Sequence, residues 1–272
     1  MSDEPKVLHA AESSHWYDPR TLQPVYEVER AKPGPNGETH KAPNIGDARK
    51  LGLVPGVTTI TRIPESYNLT DWKVEQGILA ALTLPRGEGE SEKDWIARVL
   101  TDSRETAKKA ADRGTEIHKA IQESFAGAVR AVPGMELYVL HAHDALRSVC
   151  GPRDDWKAEE VVVCRLGFAT KVDLCCPQWI IDWKGHEKKD ATELRLYETH
   201  HMQLAATKLA CVETLGERFA NARTLIGYIH RETAEVTMVE SPKDKQLQHE
   251  MMFRALHLYW CHKNRYFPGA DA

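Results

Sequence analysis

Acidic and basic side chains that could do chemistry together are concentrated in residues 167–185, whose sequence is GFATKVDLCCPQWIIDWKG. Side chains alternate between the two faces of a β-strand, so Asp182 and Lys184 are expected on one face and Trp183 on the other. The preceding strand carries Asp173, and the connection between the two strands is short enough for them to pair. The pattern therefore predicts that Asp173 lies beside Asp182, with Lys184 close by.

Two carboxylates that converge at a strand edge favour a divalent cation. Neighbouring negative charges repel each other unless a cation lies between them. Carboxylate oxygens are hard ligands, which Mg²⁺ and Mn²⁺ prefer. A neighbouring lysine can orient or deprotonate a water molecule at such a site, so these residue types predict metal-assisted chemistry.

The spacing alone is weak support, because Asp-Trp-Lys occurs three times, at residues 71–73, 155–157 and 182–184. Only the third copy ends an apolar strand that follows another strand with an inward-facing aspartate. We interpret the first two as surface residues or helix starts, where the aspartate caps the helix and the tryptophan packs. Context therefore selects residues 182–184.

Two predicted helices flank these strands. The segment RGTEIHKAI has helical periodicity that puts His118 on the core-facing side. A single inward histidine is more often a packed core residue, but beside two carboxylates it becomes a candidate metal ligand. Downstream, the helix at 197–210 places His200, Gln203 and Thr207 on one stripe. A buried Gln203 could hydrogen-bond the lysine or a DNA phosphate, although helix packing explains the stripe almost as well.

The rest of the pattern predicts a mixed α/β protein. Residues 1–56 are rich in Pro and Gly and predict a loop-rich arm. Residues 57–103 predict a helical cover with a loop at Arg86–Lys93, residues 104–240 the catalytic core, and residues 241–272 a C-terminal helix. Helices are expected at 105–125, 134–148, 193–215 and 244–264, and strands at 160–166, 167–176, 179–184, 224–230 and 235–240.

Composition limits the class of protein. The 272 residues carry a net charge of -4, which argues against a protein that coats nucleic acid by bulk electrostatics. Two local basic clusters remain, although each alone is more simply a solvated helix face: Arg104, Lys108, Lys109 and Arg113, then Lys184, Lys188, Lys189 and Arg195. The six cysteines lack a repeated C-x-x-C spacing and are expected to be reduced thiols. No run approaches the ~18 apolar residues of a membrane span, and the first residues lack a secretory signal, so a cytoplasmic protein without membrane contact is expected.

Four motifs occur in the order of a known nuclease family. RGTEIH, GFATKVD, IIDWK and HHMQLAA, within about residues 113–210, resemble the motifs of PD-(D/E)XK nucleases of the RecB and lambda-exonuclease branch. The motifs resemble especially those of phage-type exonucleases related to the mitochondrial genome maintenance exonuclease, and LGLVPGVTTITRI (51–63) with Trp72 resembles their N-terminal region. The resemblance implies a restriction-endonuclease-like core, with a central mixed β-sheet flanked by helices, within a single domain at 57–272. It also implies a metal-dependent DNA exonuclease, encoded by a phage and acting in DNA recombination, repair or degradation.

The resemblance also assigns roles to individual positions. It makes His118, Asp173 and Asp182 metal ligands and Lys184 the catalytic lysine. Gln203 becomes the glutamine of the motif that follows the core strands. The implied cofactors are one or two Mg²⁺ or Mn²⁺ ions, which would bind the scissile phosphate and lower the pKa of the attacking water.

Further positions follow from the same resemblance. Glu160 is the expected auxiliary acid, and its neighbour Glu159 could equally hold that place. DNA contacts are expected from Arg113, Lys188, Lys189 and Thr207. Thr207 stands where related proteins often have a tyrosine, which puts that contact in question. Some relatives carry a four-cysteine iron–sulfur cluster, but the C-terminal cysteine group is missing here, so no cluster is expected. DNA is the implied partner, and a single-strand annealing or binding protein is a further candidate.

Two other classes of function compete with this interpretation. The fold could serve a DNA-binding or recombination accessory protein without robust cleavage, although all four core groups are present. The stretch HAHD at 141–144 and the 13 histidines suggest a zinc hydrolase, but residues two apart in a helix do not share a face. The nuclease interpretation therefore leads.

Overall fold

The computed structural model describes four stretches of the chain, residues 16–64, 67–127, 132–187 and 197–269. They form a mixed α/β protein around a five-stranded mixed sheet. Two compact units are distinguished: one comprises the chain up to Ile63 and again from Ile117, and the other comprises Pro64–Glu116. Within the described stretches, no helix combines the length and apolar character needed to cross a bilayer.

The secondary-structure elements are named in chain order. The strands are β1 (Trp16–Asp18), β2 (Gln23–Pro24), β3 (Val28–Glu29), β4 (His40–Lys41), β5 (Val54–Pro55), β6 (Lys157–Cys164), β7 (Phe168–Cys176), β8 (Trp179–His186), β9 (Arg223–His230) and β10 (Val236–Glu240). The α-helices are α1 (Ile45–Leu51), α2 (Val57–Thr61), α3 (Tyr67–Thr83), α4 (Glu92–Phe125), α5 (Glu136–Cys150), α6 (Glu198–Leu215) and α7 (Gln246–Asn264).

The central sheet has the strand order β10-β9-β8-β7-β6, so β8 is its middle strand. β8 and β9 are parallel, and the other neighbouring strands are antiparallel. The predicted pairing of the two motif-bearing strands is confirmed, because Leu174 pairs with Ile181 and Cys176 pairs with Trp179. The coarse prediction of a mixed sheet in a mixed α/β protein is therefore correct.

Helices cover both faces of this sheet, which explains why its middle strands are apolar on both sides. On one face, Ile121 of α4 and Leu146 of α5 pack around Trp183. On the other face, Met202 of α6 packs in the cluster that contains Ile180. Full burial of a side chain of this size contributes about 1.5–3 kcal/mol. The alternation of Ile180 and Trp183 between the two clusters fixes which way β8 presents its polar residues.

Gly227 of β9 allows Trp183 to lie flat on the sheet. The two residues are paired in register, and a Cβ at position 227 would lie 2.1 Å from the Trp183 ring. A side chain there would collide with a fully buried indole. Glycine at this position therefore helps to hold the strand segment that carries Asp182 and Lys184.

The long helix α4 begins earlier than the periodicity predicts. Helical spacing is clear only from Glu105, whereas the helix starts at Glu92. The Ser91 hydroxyl accepts a hydrogen bond from the Asp94 backbone N–H at 3.1 Å and donates one to the Asp94 carboxylate at 2.7 Å. This reciprocal capping starts the helix at a polar sequence that has little hydrophobic period.

The N-terminal segment contains more regular structure than the expected loop-rich arm. Strands β1, β2 and β5 form a small sheet, and β3 pairs with β4. Trp16 is buried against Trp260 of α7, with ring centroids 5.9 Å apart. Leu53 and Val57 join the same core as α6. Proline and glycine interrupt this segment without preventing it from packing on the core.

Candidate active site

Asp173 is held where β7 and β8 separate. Leu174 and Ile181 form the last pair of the β7–β8 ladder. Asp173 and Asp182 are the next residues on the two strands. The Asp173 carboxylate accepts a hydrogen bond from the Trp183 backbone N–H at 2.8 Å. Its side chain thus takes the place of a backbone partner and is drawn against β8.

Asp182, Lys184 and Gln203 form a closed set of contacts. Lys184 Nζ lies 2.8 Å from Asp182 Oδ2 and donates a hydrogen bond to Gln203 Oε1 at 3.1 Å. Gln203 Nε2 donates to Asp182 Oδ1 at 2.7 Å. The predicted shared face of Asp182 and Lys184 is confirmed, and α6 brings the amide of Gln203 between them. We call these three residues the contact triangle.

The two carboxyl groups share a poorly solvated environment. Burial raises the pKa of the Asp182 carboxyl, while the Lys184 ammonium lowers it and the charge of Asp173 raises it again. Burial likewise raises the pKa of Asp173, against the opposing effects of Lys184 and the Trp183 N–H. Each group is thus costly to ionise, and one lysine serves both. A divalent cation would stabilise the ionised forms of both carboxyl groups.

His118 of α4 faces the same charges. Burial, followed by the Lys184 ammonium, lowers the pKa of His118 to about 4, and Asp182 acts in the opposite direction. The imidazole is therefore neutral at pH 7, the form in which histidine binds metals. Its role as a ligand stays a prediction.

The donor set matches a hard cation in its chemistry. Among the described residues, no three His, Cys, Asp or Glu side chains are gathered tightly enough to hold a metal by themselves. Mg²⁺ commonly takes one or two carboxylates and completes its shell with water and substrate phosphates. Asp182 Oδ2 is buried, and the partner that the described structure gives it is the Lys184 ammonium at 2.8 Å. Asp173 and Asp182 therefore fit an ion that takes its remaining ligands from water and substrate phosphates.

Gln122 is a site residue that sequence reasoning missed. Its Nε2 atom donates to Asp173 Oδ1 at 3.3 Å, so both oxygens of that carboxylate are oriented by the protein. Gln122 lies four residues after His118, on the same side of α4. The helical stripe that identified His118 could therefore have identified Gln122 as well.

Glu159 and Glu160 are the two candidate auxiliary acids, and the interactions of Glu159 are the ones that involve the site residues. Glu159 forms an ion pair with Lys171 at 2.7 Å, and its charge raises the pKa of Asp173. Glu159 and Asp173 lie between the paired residues Ala158–Leu174 and Glu160–Val172 of the β6–β7 ladder. The φ of Glu159, 59°, is unusual for a residue with a side chain. Glu160 instead approaches Lys157 at 4.0 Å. The geometry favours the alternative, Glu159.

The expected DNA contacts divide into three cases. Arg113 makes an ion pair with Glu116 at 3.3 Å, on the exposed surface of α4. Thr207 is buried and donates its hydroxyl to the Gln203 carbonyl at 2.9 Å, an arrangement that does not offer the hydroxyl to a phosphate. Lys188 and Lys189 lie outside the described residues. Thr207 is therefore better described as part of the support of Gln203.

Two other cations act on the site residues, Lys171, which strand alternation puts on the same face as Asp173, and Arg231, which was not predicted. Lys171 lowers the pKa of both His118 and Asp173 through its charge, and Arg231 lowers that of His118. Arg231 also pairs with Glu187 at 2.6 Å. Both belong to the central sheet or its connections, where no basic run in the sequence drew attention to them.

Other sequence candidates have ordinary structural roles. Asp155 pairs with Arg153 at 2.8 Å just before β6, so the second Asp-Trp-Lys copy is a surface group and does not start a helix. The third residue of HAHD, His143, contacts Ser124 at 2.9 Å, whereas His141 contacts the Ala234 carbonyl at 2.9 Å. The two histidines thus have separate partners, as expected for residues two apart in a helix.

No protein-family model matches the chain, and no curated protein matches it either. A solved structure described only as SSO0001 aligns with 51% of this chain and 66% of its own length, at 15% sequence identity and a TM-score of 0.23. The alignment thus leaves about a third of that protein uncovered. A similarity at this level carries no inference about fold or activity.

Proposed function

We propose that the chain is a Mg²⁺- or Mn²⁺-dependent deoxyribonuclease with a restriction-endonuclease-like core that hydrolyses phosphodiester bonds. The observation that carries this proposal is the contact triangle, with buried Asp182, beside a second, half-buried carboxylate, Asp173. It unites two acids, an amine and an amide from three separate parts of the sequence. Exonuclease action on linear DNA is favoured by the resemblance of the motifs.

The residues that would hold the ion are Asp173 and Asp182, with the neutral imidazole of His118 as a further donor. When bound, the cation would neutralise charge on the scissile phosphate and lower the pKa of the attacking water. Gln122 and the Trp183 N–H fix the direction of the Asp173 carboxylate. Such orientation by neighbouring groups tunes metal sites as strongly as the choice of ligands.

Lys184 supplies a positioned ammonium next to the carboxylates. Asp182 and Gln203 fix its Nζ atom from two directions, so little reorganisation is needed when substrate arrives. An ammonium so placed can donate to a phosphate oxygen or to the attacking water. Gln203 links the amine and the acid, since its amide donates to one and accepts from the other.

The side chains of the site are close to balanced in charge. Lys171, Lys184 and Arg231 all act on the site residues, and each pairs with a carboxylate. A bound divalent cation would add the positive charge that attracts the phosphates of a nucleic acid. DNA as the substrate class is supported by the resemblance of the motifs.

Cleavage assays with an isosteric variant test the proposal. Wild type and Asp182→Asn are given linear and circular DNA, single- and double-stranded, labelled at either end, with Mg²⁺ or Mn²⁺. We expect cleavage of linear DNA by the wild type and a loss of kcat in the variant, because the ion acts chiefly in the transition state. Asp244→Asn, which changes an exposed aspartate far along the sequence, is the control and should retain activity.

Three results would contradict the proposal or narrow it. Equal cleavage by a folded Asp182→Asn protein would remove this site from the reaction. DNA binding without any cleavage by the wild type would favour the accessory protein. Cleavage of circular DNA at the same rate as linear DNA would replace an exonuclease by an endonuclease.

A further inference from the structure

A second concave site lies between the end of α4, α5 and the segment that leads into β6. It encloses about 260 Å³ and is lined by Phe125, His143, Arg147, Arg153, Asp154 and Trp156, among others. This volume is just below the range of roughly 300–1,000 Å³ typical of small-molecule sites. The space therefore suits one small molecule rather than a duplex.

Aromatic rings form one part of the wall. Phe125 stacks on His143 with centroids 4.0 Å apart, and Trp156 meets Phe125 edge to face at 6.3 Å. Ser124 contacts His143 Nε2 at 2.9 Å and fixes the ring plane. Such a preassembled aromatic cluster can receive a planar heterocycle, and stacking of this kind contributes to binding of every nucleobase.

Two arginines form another part, and they differ in their partners. Arg153 is held by the Asp155 carboxylate at 2.8 and 2.9 Å and by Gln178 at 2.5 Å. Arg147 is exposed on α5, and no carboxylate among the described side chains pairs with it. Its guanidinium is thus available to an anion, and arginine binds phosphate through two parallel hydrogen bonds.

The cavity is linked to the proposed active site through two elements. Phe125 follows Gln122 by three residues, about 4.5 Å along the axis of α4, and Gln122 contacts Asp173. Gln178, which holds Arg153, lies in the turn between β7 and β8. The cavity therefore borders the turn of the hairpin whose strands carry both carboxylates further along.

We propose that this cavity binds one unpaired nucleotide, with its base against the Phe125, His143 and Trp156 rings and its phosphate at Arg147. The identity of the ligand rests on the proposed function, because a DNA substrate would supply the nucleotide from a strand end or the nucleotide next to the cleaved bond. The site itself is distinct from the carboxylates and requires no metal.

Calorimetric titration of the full chain in EDTA tests the site without catalysis. The probes are deoxyadenosine 5′-monophosphate, deoxyadenosine and inorganic phosphate. We expect the monophosphate to bind at least tenfold more tightly than either fragment. Arg147→Ala should weaken monophosphate binding at least tenfold and leave deoxyadenosine unchanged, and Arg147→Lys should lie between. Trp156→Leu should weaken both nucleoside and nucleotide, with folding checked by circular dichroism.

Two control proteins separate this site from others. Arg165→Ala removes an arginine whose side chain is 84% exposed and pairs with Glu213, and it should bind like the wild type. Asp182→Asn should also bind like the wild type, because the carboxylate centre does not hold this nucleotide.

Several outcomes would overturn the inference. These are no saturable monophosphate binding, equal binding of inorganic phosphate, unchanged affinity in Arg147→Ala, or loss of binding in Asp182→Asn. Binding as described by a protein that cleaves no DNA would support this site while contradicting the proposed function. Cleavage without binding would do the reverse.

Discussion

At the scale of single residues, the position of the Lys184 Nζ atom is set by Asp182 and Gln203 as well as by β8. Replacement by methionine keeps the length of the side chain and removes its charge. We expect Lys184→Met to lower kcat for DNA cleavage by about 100-fold or more, with little change in KM, since a positioned acid–base group typically contributes that much. Steady-state kinetics on linear DNA would measure both constants.

The matched control is Lys157→Met, because Lys157 ends another Asp-Trp-Lys triplet and is about half exposed. This variant should retain nearly the wild-type kcat. If both lysine variants were equally impaired, or if Lys184→Met raised only KM, Lys184 would not act in the chemical step.

The sequence predicted the shared face of Asp182 and Lys184 because a strand has a side-chain period of two. It also placed Gln203 on one helical stripe with His200 and Thr207, and left open whether that stripe contacts the lysine or only packs. It did not predict that Gln122 would reach Asp173, a contact between residues 51 positions apart. Contacts between side chains that are far apart in the sequence depend on how the helices pack. The hydrophobic period within one helix does not indicate that packing. The preference for Glu159 over Glu160 likewise came from the ion pair of Glu159 with Lys171, its effect on Asp173 and its backbone conformation.

At the scale of elements, Gly227 is a test of how β8 is held against β9. A methyl group there would collide with the Trp183 ring. We expect Gly227→Ala to lower the free energy of unfolding by about 1–3 kcal/mol, as overpacking in a core commonly does. Cleavage activity should fall too, because Trp183 lies between Asp182 and Lys184 in β8. Its backbone N–H also donates a hydrogen bond to the Asp173 carboxylate. Urea denaturation would give the stability change.

Gly77→Ala provides the comparison within the same chain. Gly77 lies inside α3, and a Cβ there would meet nothing within 4 Å. Alanine is a better helix former than glycine by about 1 kcal/mol, so this variant should be as stable as the wild type or more so. Destabilisation by both changes would show that the Trp183 contact is not the cause.

The turn before α4 gives a pH prediction. Hydrogen bonds from Arg98 lower the pKa of Glu90 from 4.5 to about 2. Because the folded-state pKa is depressed, this interaction stabilises the turn above pH 4.5 and is lost as the pH falls towards 2. NMR titration should find the Glu90 midpoint well below 4.5 in the wild type and higher in Arg98→Ala, in which the hydrogen bond from the Gly87 N–H remains. An ordinary midpoint in the wild type would refute the Glu90–Arg98 interaction.

Periodicity located the central strands and α5, α6 and α7 to within a few residues. It failed at the start of α4, where capping by Ser91 replaces hydrophobic period as the signal. It also failed at β1 and β5, which are two or three residues long. Strands so short show no alternation, and their existence depends on the surface against which Trp16 and Val54 pack.

At the scale of the whole molecule, the two compact units differ in how much apolar surface they bury. In Pro64–Glu116 the described apolar side chains that are buried are Ala80 and Val99, and Leu82 is 75% exposed. Segments with few buried apolar contacts open at lower free energy. We expect amides in this unit to exchange faster with deuterium than those of β8 and β9. Equal deuterium uptake by the amides of this unit and those of β8 and β9, measured by mass spectrometry, would contradict this prediction.

The central claim is that Asp173 and Asp182 hold a divalent cation beside Lys184. Titration of Mn²⁺ into metal-free protein, followed by calorimetry, measures this directly and needs no DNA. We expect a saturable site in the wild type and in Lys184→Met, and its loss in both Asp173→Asn and Asp182→Asn. A wild-type protein without such a site, or aspartate variants that bind Mn²⁺ as well as the wild type, would contradict the claim.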